Sequence, residues 1–270
     1  GTHDNLMFFT DSGKVFQTQV YEIPEGTRVA RGRGLMNFLD VSGEEKVLSL
    51  IPMKKSAGVE SRDKYLVMVT KNGRIKKTAT HEFNNVRKSG IIAIKLEKGD
   101  LLKKVVKTGG EDDIIITTKN GIAIRFKEKD IRPMGRSAAG VKGIRLKKGD
   151  EVVGMDVIDA SKDKKAKQYL LVVMENGYGK RTEISQYKTQ GRGGSGIKTA
   201  NITSKTGGIV ISFILEDSAA DEDLIVISQK GQVIRTETKS ISVLGRATQG
   251  VRIMRLDAGD KVASGSCLKE

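Results

Sequence analysis

Short apolar runs, each closed by a polar residue and a glycine, return five times along the 270 residues. They are Leu6 to Thr10 before Ser12-Gly13, Leu66 to Thr70 before Asn72-Gly73, Ile114 to Thr118 before Asn120-Gly121, Leu170 to Met174 before Asn176-Gly177, and Asp223 to Ser228 before Lys230-Gly231. Runs this short and rich in Val, Ile and Leu, with a second β-like run just past the turn, predict β-hairpins. Three copies carry Asn-Gly, the pair that best tolerates positive φ at both central positions, which predicts type I′ turns.

An arginine follows each turn glycine by 14 or 15 residues: Arg28, Arg87, Arg136, Arg192 and Arg246, each with a glycine shortly behind it. Beyond it a second strand pair is predicted, as in Arg136 to Leu146, closed by Lys148-Gly149-Asp150 before Val152-Val153; Arg87 to Asp100 and Arg246 to Asp260 repeat the arrangement. Each unit therefore holds about four short strands, the count of a propeller-type blade. One supersecondary unit reused in this way buries its apolar face by stacking on its neighbours. The expected fold is all-β, a single radial array of five blades over residues 1–270, with repeats near 4–60, 61–110, 111–165, 166–220 and 221–270. The polar stretches 54–64, 160–168 and 216–223 are the expected surface loops between blades. No apolar stripe at helical spacing and no membrane-length apolar run interrupts the pattern.

Charge changes the picture from fold to function. Lys and Arg number 48 against 33 Asp and Glu, a formal net charge of +15. Such a field attracts polyanions, and nucleic acid held this way is released by salt. The bases recur just after the hairpin turns, as Lys76 and Lys77, Arg125 and Lys127, Lys180 and Arg181, and Arg235. A base in that position has no evident packing duty, so these side chains are the expected phosphate contacts, on one rim of the array. The five repeat arginines divide between two readings, phosphate contact and capping of strand-loop carbonyls. With no tryptophan, two histidines and one cysteine, neither zinc ligands nor a base-stacking platform is available, and the few Phe and Tyr fit the core. Backbone contact with duplex DNA, indifferent to sequence, is the expected mode. Cys267 is alone, so no internal disulfide forms, which points to a reducing cytoplasm. The sharpest local motif is Gln190-Gly191-Arg192-Gly193-Gly194-Ser195-Gly196, whose four glycines allow the backbone N–H groups to approach phosphates.

Several stretches carry a family resemblance across essentially the whole chain: Leu6 to Val15, Val20 to Glu25, Asn176 to Thr182 and Ile241 to Val251. On these the chain resembles the C-terminal domain of the DNA gyrase A protein, a β-pinwheel. The resemblance implies blades that exchange a strand with a neighbour and a basic rim that wraps duplex DNA, presenting a segment to the cleavage gate for ATP-dependent negative supercoiling. It also implies as partners the gyrase B protein together with the rest of gyrase A, and a cytoplasmic, nucleoid-associated location. The family's heptapeptide box, Gln, base, Arg, Gly, Gly, base, Gly, is matched at Gln190, Arg192, Gly193, Gly194 and Gly196; Gly191 and Ser195 stand where bases are expected.

Catalysis by the isolated domain is not expected. In the family, cleavage and ATP hydrolysis belong to other parts of the enzyme. Tyr21, Tyr65, Tyr169, Tyr178 and Tyr187 lie in strands or their flanks with no His or carboxylate cluster nearby in sequence, and Asp112-Asp113 and the acids of 216–223 read as solvated loop groups rather than a metal site. No catalytic residue, metal or cofactor is assigned, and the isolated domain is expected to be a monomer without membrane contact. Two rivals remain: a topoisomerase IV-like domain that binds DNA without chiral wrapping, and a protein-interaction propeller, which the low aromatic content disfavours.

Overall fold

The computed structural model describes residues 3–26, 34–53, 64–159, 167–216 and 222–269. Arg28 and most of the three expected inter-blade loops lie outside them. The first repeat supplies β1 (Asn5–Thr10), β2 (Lys14–Gln19) and β3 (Val47–Met53). The second supplies β4 (Tyr65–Thr70), β5 (Arg74–Ala79), β6 (Ile91–Ile92) and β7 (Leu102–Thr108), and the third β8 (Asp113–Thr118), β9 (Ile122–Lys127), β10 (Val141–Lys142) and β11 (Val152–Ile158). The fourth gives β12 (Gln168–Met174), β13 (Tyr178–Glu183), β14 (Ile197–Lys198) and β15 (Ile209–Glu216), and the fifth β16 (Glu222–Ser228), β17 (Val233–Glu237), β18 (Val251–Arg252) and β19 (Val262–Lys269). The fold is all-β: among the described residues the only helical pieces are single 3-10 turns, one after each hairpin and one at Leu35–Asn37.

Four sheets have four strands, in the orders β3-β1-β2-β6, β7-β4-β5-β10, β11-β8-β9-β14 and β15-β12-β13-β18. In every one the fourth strand comes from the following repeat. The two-residue strands β6, β10, β14 and β18 are the exchanged elements, and among the described residues the expected second strand pair within a repeat does not form. The fifth sheet, β19-β16-β17, has three strands among the described residues.

The hairpins stand where the pattern puts them, but their turns are not type I′. No non-glycine residue has positive φ among the described residues, and three residues separate the strands in the first four hairpins. In all five the glycine N–H bonds the carbonyl three residues back, as in Gly73 to Thr70 at 3.0 Å and Gly121 to Thr118 at 3.1 Å. Only the third loop residue is left-handed, for example Gly121 at φ 81°, the arrangement of a three-residue loop with a glycine bulge. In the second, third and fifth hairpins the preceding residue keeps negative φ while its N–H is claimed by the repeat's own Gly-Asp turn. Asn72 donates to Asp100 Oδ1 and Asn120 to Asp150 Oδ1, both at 2.9 Å, and Lys230 to Asp260 Oδ1 at 3.1 Å.

Two compact units emerge, residues 1–110 with 131–141, and residues 111–130 with 142–270. In the first, Met7, Phe9, Val15, Leu66, Met68, Phe83 and Ile94 pack into one cluster. In the second, Leu170, Val172, Met174, Tyr178 and Tyr187 form one cluster, and Leu171, Val173, Ile211, Leu224 and Val226 another. Alternate residues of β12 thus feed clusters on opposite faces. A strand covered on both sides is uniformly apolar instead of alternating, which accounts for the runs in β4, β8 and β12.

Candidate nucleic-acid interface

In the second, third and fourth sheets the second strand of the hairpin receives the loop of the next repeat along its outer edge, in two steps. In the fourth sheet the loop first pairs in parallel, with Val243 beside Arg181. It then arches over and pairs in antiparallel fashion, Val251 beside Gly179 and Arg252 beside Tyr178. The third sheet repeats this with Thr189 beside Arg125, then Ile197 beside Ala123 and Lys198 beside Ile122. In the second sheet Pro133 pairs beside Lys77. Arg136, Arg192 and Arg246 ride on the arches between the two pairing points.

This geometry occupies the bases that follow the hairpin turns. Lys76 and Lys180 are fully buried. Lys76 Nζ donates to the carbonyls of Ala93, at 2.7 Å, and Arg136. Lys180 Nζ donates to the carbonyls of Gly245 and Arg246 at 2.6 and 2.7 Å and to Thr248 Oγ1 at 3.0 Å. Lys77, also buried, stacks on the Tyr65 ring. Arg181 donates to the carbonyls of Ile241 and Lys239 and lies over the Tyr169 ring. Arg125 and Lys127 share the buried Asp113 at 2.7 and 2.8 Å, and Arg235 pairs with Asp223. The expectation that these bases lack a packing duty is therefore corrected: they tie a strand to its partner strand or to the arriving loop. The Asp113 ties also give that acid a structural partner in place of solvent. Among the described residues no group of three His, Cys, Asp or Glu side chains is placed to hold a metal ion.

Replacing Asp113 by alanine strands Arg125, which is only 20% exposed, beside the remaining carbonyls of Ile184 and Tyr187. We expect a loss of about 2 kcal/mol in urea unfolding, because a half-buried charge is left uncompensated. The same change at Asp223, whose partner Arg235 is 58% exposed, should cost less than about 1 kcal/mol.

The repeat arginines prove to cap carbonyls where their side-chain bonds are defined. Arg192 donates from Nη1 to the Lys142 carbonyl at 2.6 Å and from Nε to that of Asp130 at 3.1 Å. Arg246 donates to the Lys198 carbonyl at 3.1 Å. Successive exchanged strands of the second unit are thereby clipped to one another. Arg136 stands 4.0 Å from Glu82, and Arg87 is exposed. In the glycine-rich segment the Gln190 N–H is taken by the Arg125 carbonyl at 2.7 Å and the Gly193 N–H by the Gly143 carbonyl at 2.8 Å, while the Gly194 carbonyl accepts from Arg145. A side chain at Gly196 (φ 69°) would meet the Ala123 carbonyl oxygen at 2.7 Å. These glycines let one loop lie close on another.

Besides Arg87, Lys127 and Arg235, which are exposed, bases that the sequence pattern did not single out hold exposed positions. Each exchanged strand begins after a glycine and ends on its second residue: Gly140-Val141-Lys142, Gly196-Ile197-Lys198 and Gly250-Val251-Arg252, with Gly90-Ile91-Ile92 as the apolar variant. Lys142, Lys198 and Arg252 are exposed, as are Lys95, Arg145 and Arg255 three residues further on. Arg252 also donates to the Tyr178 hydroxyl at 2.9 Å, which holds that phenol below its ordinary value. The recurring glycine, β-branched residue and base were visible in the sequence; their common register was not, because it depends on pairing with another repeat.

Comparison with known proteins adds a family and a fold. The family described as DNA gyrase C-terminal domain, beta-propeller, matches five times, at residues 4–52, 64–108, 112–159, 168–215 and 222–269. The DNA gyrase A protein of Staphylococcus epidermidis (strain ATCC 12228 / FDA PCI 1200) is 43% identical over 97% of this chain and 28% of its own length. That of Staphylococcus aureus (strain NCTC 8325 / PS 47) is 41% identical over 100% of the chain and 29% of its own. The chain thus spans under a third of these relatives. A solved DNA gyrase A C-terminal domain superposes with a TM-score of 0.80 at 27% identity, covering 99% of this chain and 83% of that one. The C-terminal domain of a DNA topoisomerase IV reaches 0.86 at 24% identity, over 99% and 80%, a likeness of fold.

Proposed function

The chain belongs to the DNA gyrase C-terminal domain family, and from that premise we propose that it binds, bends and wraps duplex DNA without regard to sequence. It acts as one β-pinwheel domain of a gyrase A protein. In the holoenzyme, with the rest of gyrase A and with gyrase B, it presents a DNA segment to the cleavage gate during ATP-dependent negative supercoiling, in the cytoplasm and on the nucleoid. The domain itself supplies no catalytic group and needs no cofactor for this role.

The observation that carries the reading is the row of exposed bases at one register of the exchanged strands, Lys142, Lys198 and Arg252. Regularly repeated cations without a base-reading helix suit phosphates, which recur along a duplex whatever its sequence. The second unit offers Arg145 and Arg255 beside this row, and the first unit offers Lys95 and Arg87, all exposed. Arg192 and Arg246, bonded to the Lys142 and Lys198 carbonyls, stand next to the same edge. The box-like segment supports its loop mainly through glycine packing, and Gly191 and Ser195 bring no charge to it.

Ligating a nicked circle with the domain bound, then removing the protein, tests the reading. We expect a positive linking-number shift that grows with protein. Binding without a shift would favour a domain that holds DNA without chiral wrapping, and no binding at moderate salt would overturn the nucleic-acid reading.

A further inference from the structure

We propose that Lys76 and Lys180 are positioning residues for DNA binding, their buried ammonium groups fixing the arches that carry Arg136 and Arg246 and lead into the basic exchanged strands. The inference rests on the DNA-binding reading and adds a device that controls it.

Packing alone does not call for these lysines. The equivalent positions in the other hairpins are Phe16, Ile124 and Ile234. Phe16 and Ile124 are buried there, against Gly90 and Gly194 of the arriving loops. An apolar side chain therefore fills the slot, and at less cost than an ammonium group taken out of water. What the lysine adds is a set of directed bonds. Residue 180 lies between the parallel pairing point at Arg181 and the antiparallel one at Gly179. From there its three N–H donors meet three acceptors, the carbonyls of Gly245 and Arg246 and the hydroxyl of Thr248. Lys76 reaches the carbonyl of Arg136 in the same way and that of Ala93 besides. Holding the carbonyl of the arginine itself fixes the peptide plane from which its side chain departs.

The device is sensitive to pH. Burial pushes both lysines down to about 8, with repulsion from Arg136 adding to it at Lys76 and from Arg246 at Lys180; Glu82 opposes the shift at Lys76. Arg246 also acts on Tyr187, whose buried phenol is pushed up and stays neutral in this range. A neutral amine keeps two donors and gains a lone pair, so either one of the three acceptors of Lys180 loses its bond, or Thr248 turns its hydroxyl proton onto the amine and gives up its own bond to the Gly245 carbonyl; the arch loses one bond either way. Global stability moves the other way. With the folded value below the unfolded one, the unfolded chain binds more protons between pH 8 and the free-lysine value near 10.4, so these two groups make stability rise with pH there. Loosening of the arches is thus separable from unfolding.

The test measures duplex affinity of the wild-type chain and of K76M/K180M from pH 7 to 9 at fixed ionic strength, with a urea midpoint at each pH. Wild type should lose about tenfold in affinity over that range, the equivalent of about one phosphate contact, without a fall in the midpoint. The double variant should bind about tenfold more weakly at pH 7 and show a flat profile. A flat wild-type profile, or a variant with wild-type affinity and pH dependence, overturns the proposal while leaving DNA binding intact. Absence of wild-type binding at pH 7 overturns the DNA-binding reading and this role with it. Amide exchange over residues 243–250, corrected for intrinsic rates, reports the arch without DNA: it should be faster in K180M at pH 7 than in wild type, and equal protection would count against the proposal.

Discussion

Replacing Lys142, Lys198 and Arg252 together by serine is expected to lower affinity for duplex DNA by roughly a hundred- to a thousandfold near 0.1 M salt. It should also reduce the slope of log K against log salt by about three. Each base that neutralises a phosphate releases close to one counterion, so three lost contacts act multiplicatively. The fold should survive, because the three side chains are exposed; their own bonds, Lys198 to Asn201 and Arg252 to the Tyr178 hydroxyl, are lost, but the strand pairing at these residues is made by main chain. The Lys142 and Lys198 carbonyls still accept from Arg192 and Arg246, and Val251 and Ile197 still pair with their sheets. A melting temperature within a degree or two of wild type would confirm this. If affinity falls while the salt slope stays where it was, the DNA does not run along the exchanged strands.

That experiment separates two kinds of base which look alike along the chain. Lys180 and Arg181 follow a hairpin turn, and Lys198 follows a glycine and an isoleucine; nothing local marks the first pair as internal and the last as exposed. The hairpins themselves were legible, since the apolar runs of β4, β8 and β12 and their turn glycines are local signals. The turn type was not, because Asn72 and Asn120 keep negative φ while donating to Asp100 and Asp150 about 30 residues away. The strand count per blade was legible in the local pattern, whereas the exchange of a strand between repeats was implied only by the family resemblance. Two-residue strands such as Ile197–Lys198 are too short to show a period, and their pairing with Ala123 and Ile122 crosses some 75 residues of sequence. The burial of Lys76 and Lys180 follows from the same long-range event. A strand edge that looks open within its own repeat is closed by the next one, and any base beneath the arriving loop must find acceptors there or be excluded.

A matched pair of turn glycines isolates the energetic weight of that closure. Gly121 and Gly231 occupy the same place in their hairpins, with φ of 81° and 86°. A Cβ on Gly231 would meet nothing within 4 Å, whereas on Gly121 it would stand 2.6 Å from the Ala200 carbonyl oxygen and 2.9 Å from an Ile202 side-chain carbon. Gly121 also gives its own carbonyl to the N–H groups of Thr199 and Ala200, at 2.7 and 3.3 Å, so the segment that would have to retreat is the one following exchanged strand β14. Gly231→Ala should therefore cost about 1 kcal/mol, the left-handed backbone penalty partly offset by the lower entropy of the unfolded chain. Gly121→Ala should cost about 3 to 5 kcal/mol, since the same penalty is joined by a clash with main chain and loss of its pairing. Urea midpoints of the two variants decide the matter. Equal losses would mean that the turn glycines serve only their own hairpins; a difference of about 2 kcal/mol or more would mean that the clasp between repeats, rather than the turn, is what requires glycine at Gly121.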